Sequence, residues 1–100
     1  MSFDEEMMQL ALKEAAKAAA IGEVPVGAIL TIGERIIAHA HNTTETDMLP
    51  LAHAELVALT RAFESAGTKR IAGMSLYVTL EPCLMCSGAI VLARVERVIY

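Results

Sequence analysis

The sequence predicts a single α/β domain built on a mixed sheet, and three observations carry that reading. One hundred residues, 55% of them hydrophobic and 20% charged, suit one domain with its own core and lie far from the composition of a disordered chain. Two β-rich segments are separated by only a short glycine turn, which makes them antiparallel neighbours. The last third reads strand, helix, strand, a βαβ unit whose two strands should run parallel.

Each element follows in order. Ser2-Phe3-Asp4-Glu5 has the S-x-x-E form of a capping box, and the alanine-rich run to Ala20 predicts a helix that ends near Gly22. Met8, Leu12, Ala16 and Ala19 are expected on its buried face, with Glu5, Glu6 and Glu14 in solvent. The stretch from Gly22 to Thr31 is β-rich, with Pro25 near the strand start and the small pair Gly27-Ala28 open to close approach by a backbone or a flat ligand. A turn at Ile32-Gly33-Glu34 leads into the alternating strand Arg35 to His41. Asn42 to Leu51 is a polar loop. Leu56, Leu59 and Phe63 give the next helix its period from Ala52 onward, and Gly67 closes it. Met74 to Leu80 reads as a buried strand stopped by Glu81-Pro82, Cys83 to Ala93 as a helix, and Arg97 to Tyr100 as the last strand.

The chemistry gathers at Leu51-Ala52-His53-Ala54-Glu55 and Glu81-Pro82-Cys83-Leu84-Met85-Cys86. Cys83 and Cys86 lie three apart on one helical turn, and His53 comes from the start of the other helix, so two helix N-termini converge on one ion. A helix N-terminus favours the thiolate form that binds metal. Three ligands without an obvious fourth is the arithmetic of a catalytic zinc site, in which water takes the open position. Glu55, two residues past the histidine, is left free to carry protons. The pattern H-x-E followed by P-C-x-x-C is a general signature of zinc nucleobase deaminases. Two other readings compete with it: a structural zinc with His39 or His41 as fourth ligand, and a redox pair. A net charge of −4 excludes a chain that coats nucleic acid by bulk attraction. No apolar run reaches transmembrane length, which places the chain in the cytoplasm and off the membrane.

The chain resembles the bacterial tRNA-specific adenosine deaminases. The likeness runs through Gly22-Glu23-Val24-Pro25-Val26-Gly27-Ala28, Asn42, Ala52-His53-Ala54-Glu55, Leu76 to Ile90, Ala93-Arg94 and Arg97-Val98-Ile99-Tyr100. It implies a three-layer α/β/α cytidine deaminase-like fold, zinc on His53, Cys83 and Cys86, and Glu55 as proton shuttle. It also implies that Asn42 bonds a flipped base, that the Ala54 N–H holds the base or the attacking oxygen, and that Pro25 and Val26 line the pocket. The activity implied is conversion of the wobble adenosine of a tRNA anticodon stem-loop to inosine, by a homodimer. A guanine or cytosine deaminase of the same fold is the alternative, although Val24-Pro25-Val26-Gly27-Ala28 favours the tRNA branch. Where the family often carries Asp-Pro-Thr, this chain has Leu49-Pro50-Leu51. The family also continues past a final tyrosine of this kind, so the expectation is a chain shortened at its C-terminus, lacking a fifth strand and a terminal helix.

Overall fold

The computed structural model describes all residues from Met1 to Tyr100. Its first element, α1 (Phe3–Ala20), starts where the sequence predicts. The Ser2 hydroxyl accepts from the Glu5 N–H while the Glu5 carboxylate accepts from the Ser2 N–H, a complete capping box. Two antiparallel strands follow, β1 (Gly27–Ile32) and β2 (Arg35–His41), joined through Gly33 at φ +57°. Then come α2 (Ala54–Ala66), closed by Gly67 in the left-handed conformation, β3 (Met74–Val78), α3 (Leu84–Leu92) and β4 (Arg97–Ile99).

The sheet order is β2-β1-β3-β4. β1 runs antiparallel to both neighbours, and β3 and β4 are parallel. Alternation along the strands separates two faces. Ile29 and Tyr77 meet Met7 and Ala11 of α1 on one side. Ala28, Leu30, Ala38, Leu76 and Val78 meet Ala54, Ala58 and Leu59 of α2 and Ile90 of α3 on the other. This is the three-layer α/β/α arrangement with four strands present. Because β3 is covered on both faces, all five of its residues are buried, which is why it reads as a continuous apolar run.

The buried stripe of α1 departs from expectation. Met7, Ala11, Glu14, Ala15 and Ala18 face the sheet, whereas Leu12 is exposed and Ala16 and Ala19 point to solvent. Gly27 decides the phase. A Cβ there would sit 2.6 Å from the Ala15 backbone nitrogen and 2.8 Å from the Glu14 Cβ, so only glycine lets α1 approach β1 this closely. Glu14 is consequently buried rather than solvated. Its carboxylate accepts from Lys17 Nζ at 2.7 Å and pairs with His41 Nδ1 at 3.1 Å and His39 Nδ1 at 3.4 Å, which occupies both histidines on β2 and leaves neither at the cysteines.

A second polar contact fastens the start of α1 to the far edge of the sheet. Tyr77 Oη donates to Asp4 Oδ1 at 2.6 Å, and Arg97 of β4 pairs with Asp4 Oδ2 at 2.8 Å. The result is that both ends of the chain meet over β3.

Candidate metal centre and base cavity

His53 and Cys83 are the N-caps of α2 and α3, so the two helix starts do converge. His53 Nδ1 lies 3.7 Å from Cys83 Sγ and 3.6 Å from Cys86 Sγ, and the three donor atoms all fall within 4.8 Å of one another. Cys83 Sγ also accepts from the Cys86 N–H at 3.5 Å, which locks the cysteine pair on the first turn. Cys86 is fully buried and Cys83 exposed, giving the group a dry side and an open side.

The donor set fits zinc. Bonds of about 2.3 Å to sulfur and about 2.0 Å to nitrogen at tetrahedral angles put S and N about 3.5 Å apart, which the two measured S···N separations match closely. The protonation of Cys86 points the same way. Contrary to the thiolate expected from helix position alone, burial pushes the Cys86 thiol well up, and the neighbouring Glu55 carboxylate pushes it further. A buried sulfur placed beside a carboxylate needs a cation to hold it as thiolate.

A cavity of about 220 Å³ opens against these donors, lined by Val24, Val26, Asn42, His53, Glu55, Leu80, Glu81 and Cys83. That is below the drug-sized range of about 300–1,000 Å³ and suits a single flat ring system. Glu55 is 4% exposed and enters the cavity from the first turn of α2, next to Cys86. Asn42, just after β2, is held by its own N–H to the Val26 carbonyl at 3.1 Å. Its side-chain oxygen accepts from the Ala54 N–H at 2.9 Å. One of the orphan donors at the start of α2 is thereby satisfied. The same bond fixes the amide orientation, so the Asn42 NH2 is the group left to donate into the cavity. The Ala54 N–H, expected at the base or the attacking oxygen, is engaged by Asn42.

Val26 is on the cavity wall and Pro25 is not. The Val26 N–H donates to the Val24 carbonyl at 2.8 Å, closing a tight turn around Pro25 that leaves Pro25 exposed and puts Val24 on the wall. Period-two alternation from Val26 would have pointed to Val24. Leu80 and Glu81 were missed because they follow the end of β3 at Val78, where no periodic signal survives.

A larger groove of about 780 Å³ lies elsewhere, between α2 and α3, with Leu59, Phe63, Ala89 and Leu92 on its walls. It holds none of the donor atoms, so the chemistry belongs to the smaller cavity.

Comparison with known proteins agrees with this geometry. All of residues 1–100 match the model of the cytidine and deoxycytidylate deaminase zinc-binding region. The chain is 53% identical over 100 residues to the tRNA-specific adenosine deaminase of Bacillus subtilis, covering 62% of that protein. It is 50% identical over 96 residues to the tRNA-specific adenosine deaminase of Aquifex aeolicus, covering 64% of it. Thus it spans about three fifths of the length of these relatives. Among solved structures, one from studies of A-to-I editing by tRNA:A34 deaminases at the wobble position superposes with a TM-score of 0.93 at 43% identity, over 97% of this chain and 75% of that one. The guanine deaminase of Bacillus subtilis superposes at 0.89 with 37% identity, over 96% and 62%.

Proposed function

The chain belongs to the cytidine and deoxycytidylate deaminase zinc-binding family, and from that premise we propose that it deaminates adenosine to inosine at the wobble position of a tRNA anticodon. The observation that carries the proposal is a buried carboxylate, Glu55, beside a His53–Cys83–Cys86 donor group in a cavity sized for one base.

His53, Cys83 and Cys86 would hold the zinc. When bound, zinc acidifies a coordinated water and so supplies a nucleophile near neutral pH. Glu55 would take the first proton of the water and deliver it to the ring nitrogen beside the amine-bearing carbon, then take the second from the new hydroxyl and pass it to the departing amine. One C–O bond forms and one C–N bond breaks, turning adenine and water into hypoxanthine and ammonia with no change of oxidation state. Asn42 offers its NH2 to a ring acceptor and orients the base. Val24, Val26 and Leu80 supply apolar walls for the face of the base. The target base has to leave its stack to enter, and unstacking is cheapest in a loop such as an anticodon.

The partner is therefore a tRNA anticodon stem-loop, read by insertion of one base, since a net charge of −4 gives little bulk attraction for RNA. We also propose a cytoplasmic homodimer. No helix is long and apolar enough to cross a membrane. Helix α3 is apolar nearly all round yet buries only Cys86 and Ile90, while Leu84, Val91 and Leu92 are 91%, 73% and 81% exposed. A helix of that kind is ordinarily covered on most sides.

Deamination of free guanine is the second reading, supported by the likeness to the guanine deaminase fold. Ammonia release from an anticodon stem-loop, set beside free guanine, cytosine and adenosine, separates the two. Inosine formed in the stem-loop alone is the expected result; turnover of guanine with an inert stem-loop overturns the tRNA reading.

A further inference from the structure

Glu23 is an acid that the reaction does not use, yet it is only 5% exposed. All partners of its carboxylate belong to one stretch of the loop between β2 and α2. Its Oε2 accepts from the Thr46 N–H at 2.6 Å and the Thr46 hydroxyl at 2.7 Å, and its Oε1 from the Glu45 N–H at 3.1 Å and the Thr44 hydroxyl at 3.4 Å. That loop begins at Asn42 and ends at His53, and the residues following Glu23 are Val24 and Val26 of the same cavity wall. Inside the loop, Thr43 is bonded through its N–H to the Ala52 carbonyl at 3.0 Å and through its hydroxyl to Asp47 at 2.7 Å. Glu23 is thus the one side chain that bolts the outer part of the loop to the opposite wall.

We propose that Glu23 is a positioning residue that sets the loop of residues 43–51 against the cavity wall at Val24–Val26, and so governs how well an RNA hairpin seats around the inserted base. The inference rests on the deaminase reading above. The zinc donors and Glu55 ride on the helix starts and not on this loop, so loosening the loop weakens substrate binding and leaves the chemical centre in place. Four donors converge on the carboxylate, and only an acceptor-only group satisfies them all. Burial by itself would raise the Glu23 pKa, but the bonds from Thr46, Glu45 and Thr44 outweigh it and hold the group ionised.

The test compares Glu23→Gln, which keeps size but brings an NH2 into a ring of donors, with Glu23→Asp, which keeps an acceptor-only carboxylate. In the zinc-loaded protein, Glu23→Gln should raise KM for an anticodon stem-loop about tenfold while kcat changes far less and zinc content stays the same. Glu23→Asp should recover most of that rise. Amide hydrogen exchange should quicken at Glu45 and Thr46 in Glu23→Gln and stay unchanged through α2. An unaltered KM, or zinc lost from both variants, overturns the positioning role. Unchanged exchange at Glu45 and Thr46 overturns the clamp whether or not the protein acts on RNA. A wild-type chain that neither binds nor deaminates the stem-loop, with the exchange difference present, overturns the deaminase reading instead.

Discussion

Glu55 and Cys86 lie close enough for the carboxylate to perturb the thiol, but substitutions at the two should have separable effects. Cys86→Ala removes a donor from a site that forms only on folding, so both bound zinc and the thermal midpoint should fall, as metal analysis and calorimetry would show. Full zinc in Cys86→Ala would remove Cys86 from the ligand set. Glu55→Gln preserves the shape of the cavity wall and all three donors. It should keep its zinc and lose about 10²–10⁴-fold or more in turnover, since proton transfer is asked of this group at more than one step. Loss of zinc in Glu55→Gln would make Glu55 a ligand. The donors were legible in the sequence because their spacing is local: one turn for the cysteines, and a helix start for His53. The cavity wall was less so: alternation carries back from Val26 to Val24, but the turn around Pro25 is closed by a backbone hydrogen bond that leaves no pattern in side-chain polarity.

Element boundaries followed the punctuation of the chain. Ser2, Gly33, Gly67 and Pro82 each mark an end that the structure observes to within two residues. The facing of α1 did not, because alanines surround that helix and the choice of stripe is made by Gly27 on a different element. Gly27→Ala should force α1 off the sheet. The added methyl meets helix backbone on both sides, and overpacking of this sort costs about 1–3 kcal/mol, readable as a lower urea midpoint. The same docking buries Glu14. Burial opposes its charge, yet the Lys17 and His41 contacts prevail and hold its carboxyl below the usual glutamate range. A lowered folded pKa stabilises above the unfolded value and loses that contribution as pH falls through the folded one. Stability should therefore drop as pH falls below the ordinary glutamate range, and Glu14→Gln should flatten that part of the profile. A profile identical in Glu14→Gln would show that the α1–β2 contact does not respond to acid.

For the whole molecule, the outer face of α3 is apolar and exposed, and β4 is an edge strand of the sheet. Sedimentation should show association that grows with protein concentration, and Leu92→Asp should shift it toward monomer. A monomer at every concentration would end the dimer proposal. The sequence could signal an apolar helix but not its exposure, since exposure depends on what packs beside it. The Asp4–Tyr77–Arg97 clasp has a different kind of consequence. Arg97 follows its acid partner Asp4 by 93 positions. At about 5–20 residues per second, the first turn of α1 waits roughly 5–20 s for its guanidinium partner. During that interval the nascent helix is held only by its own cap and by whatever sheet has already been made.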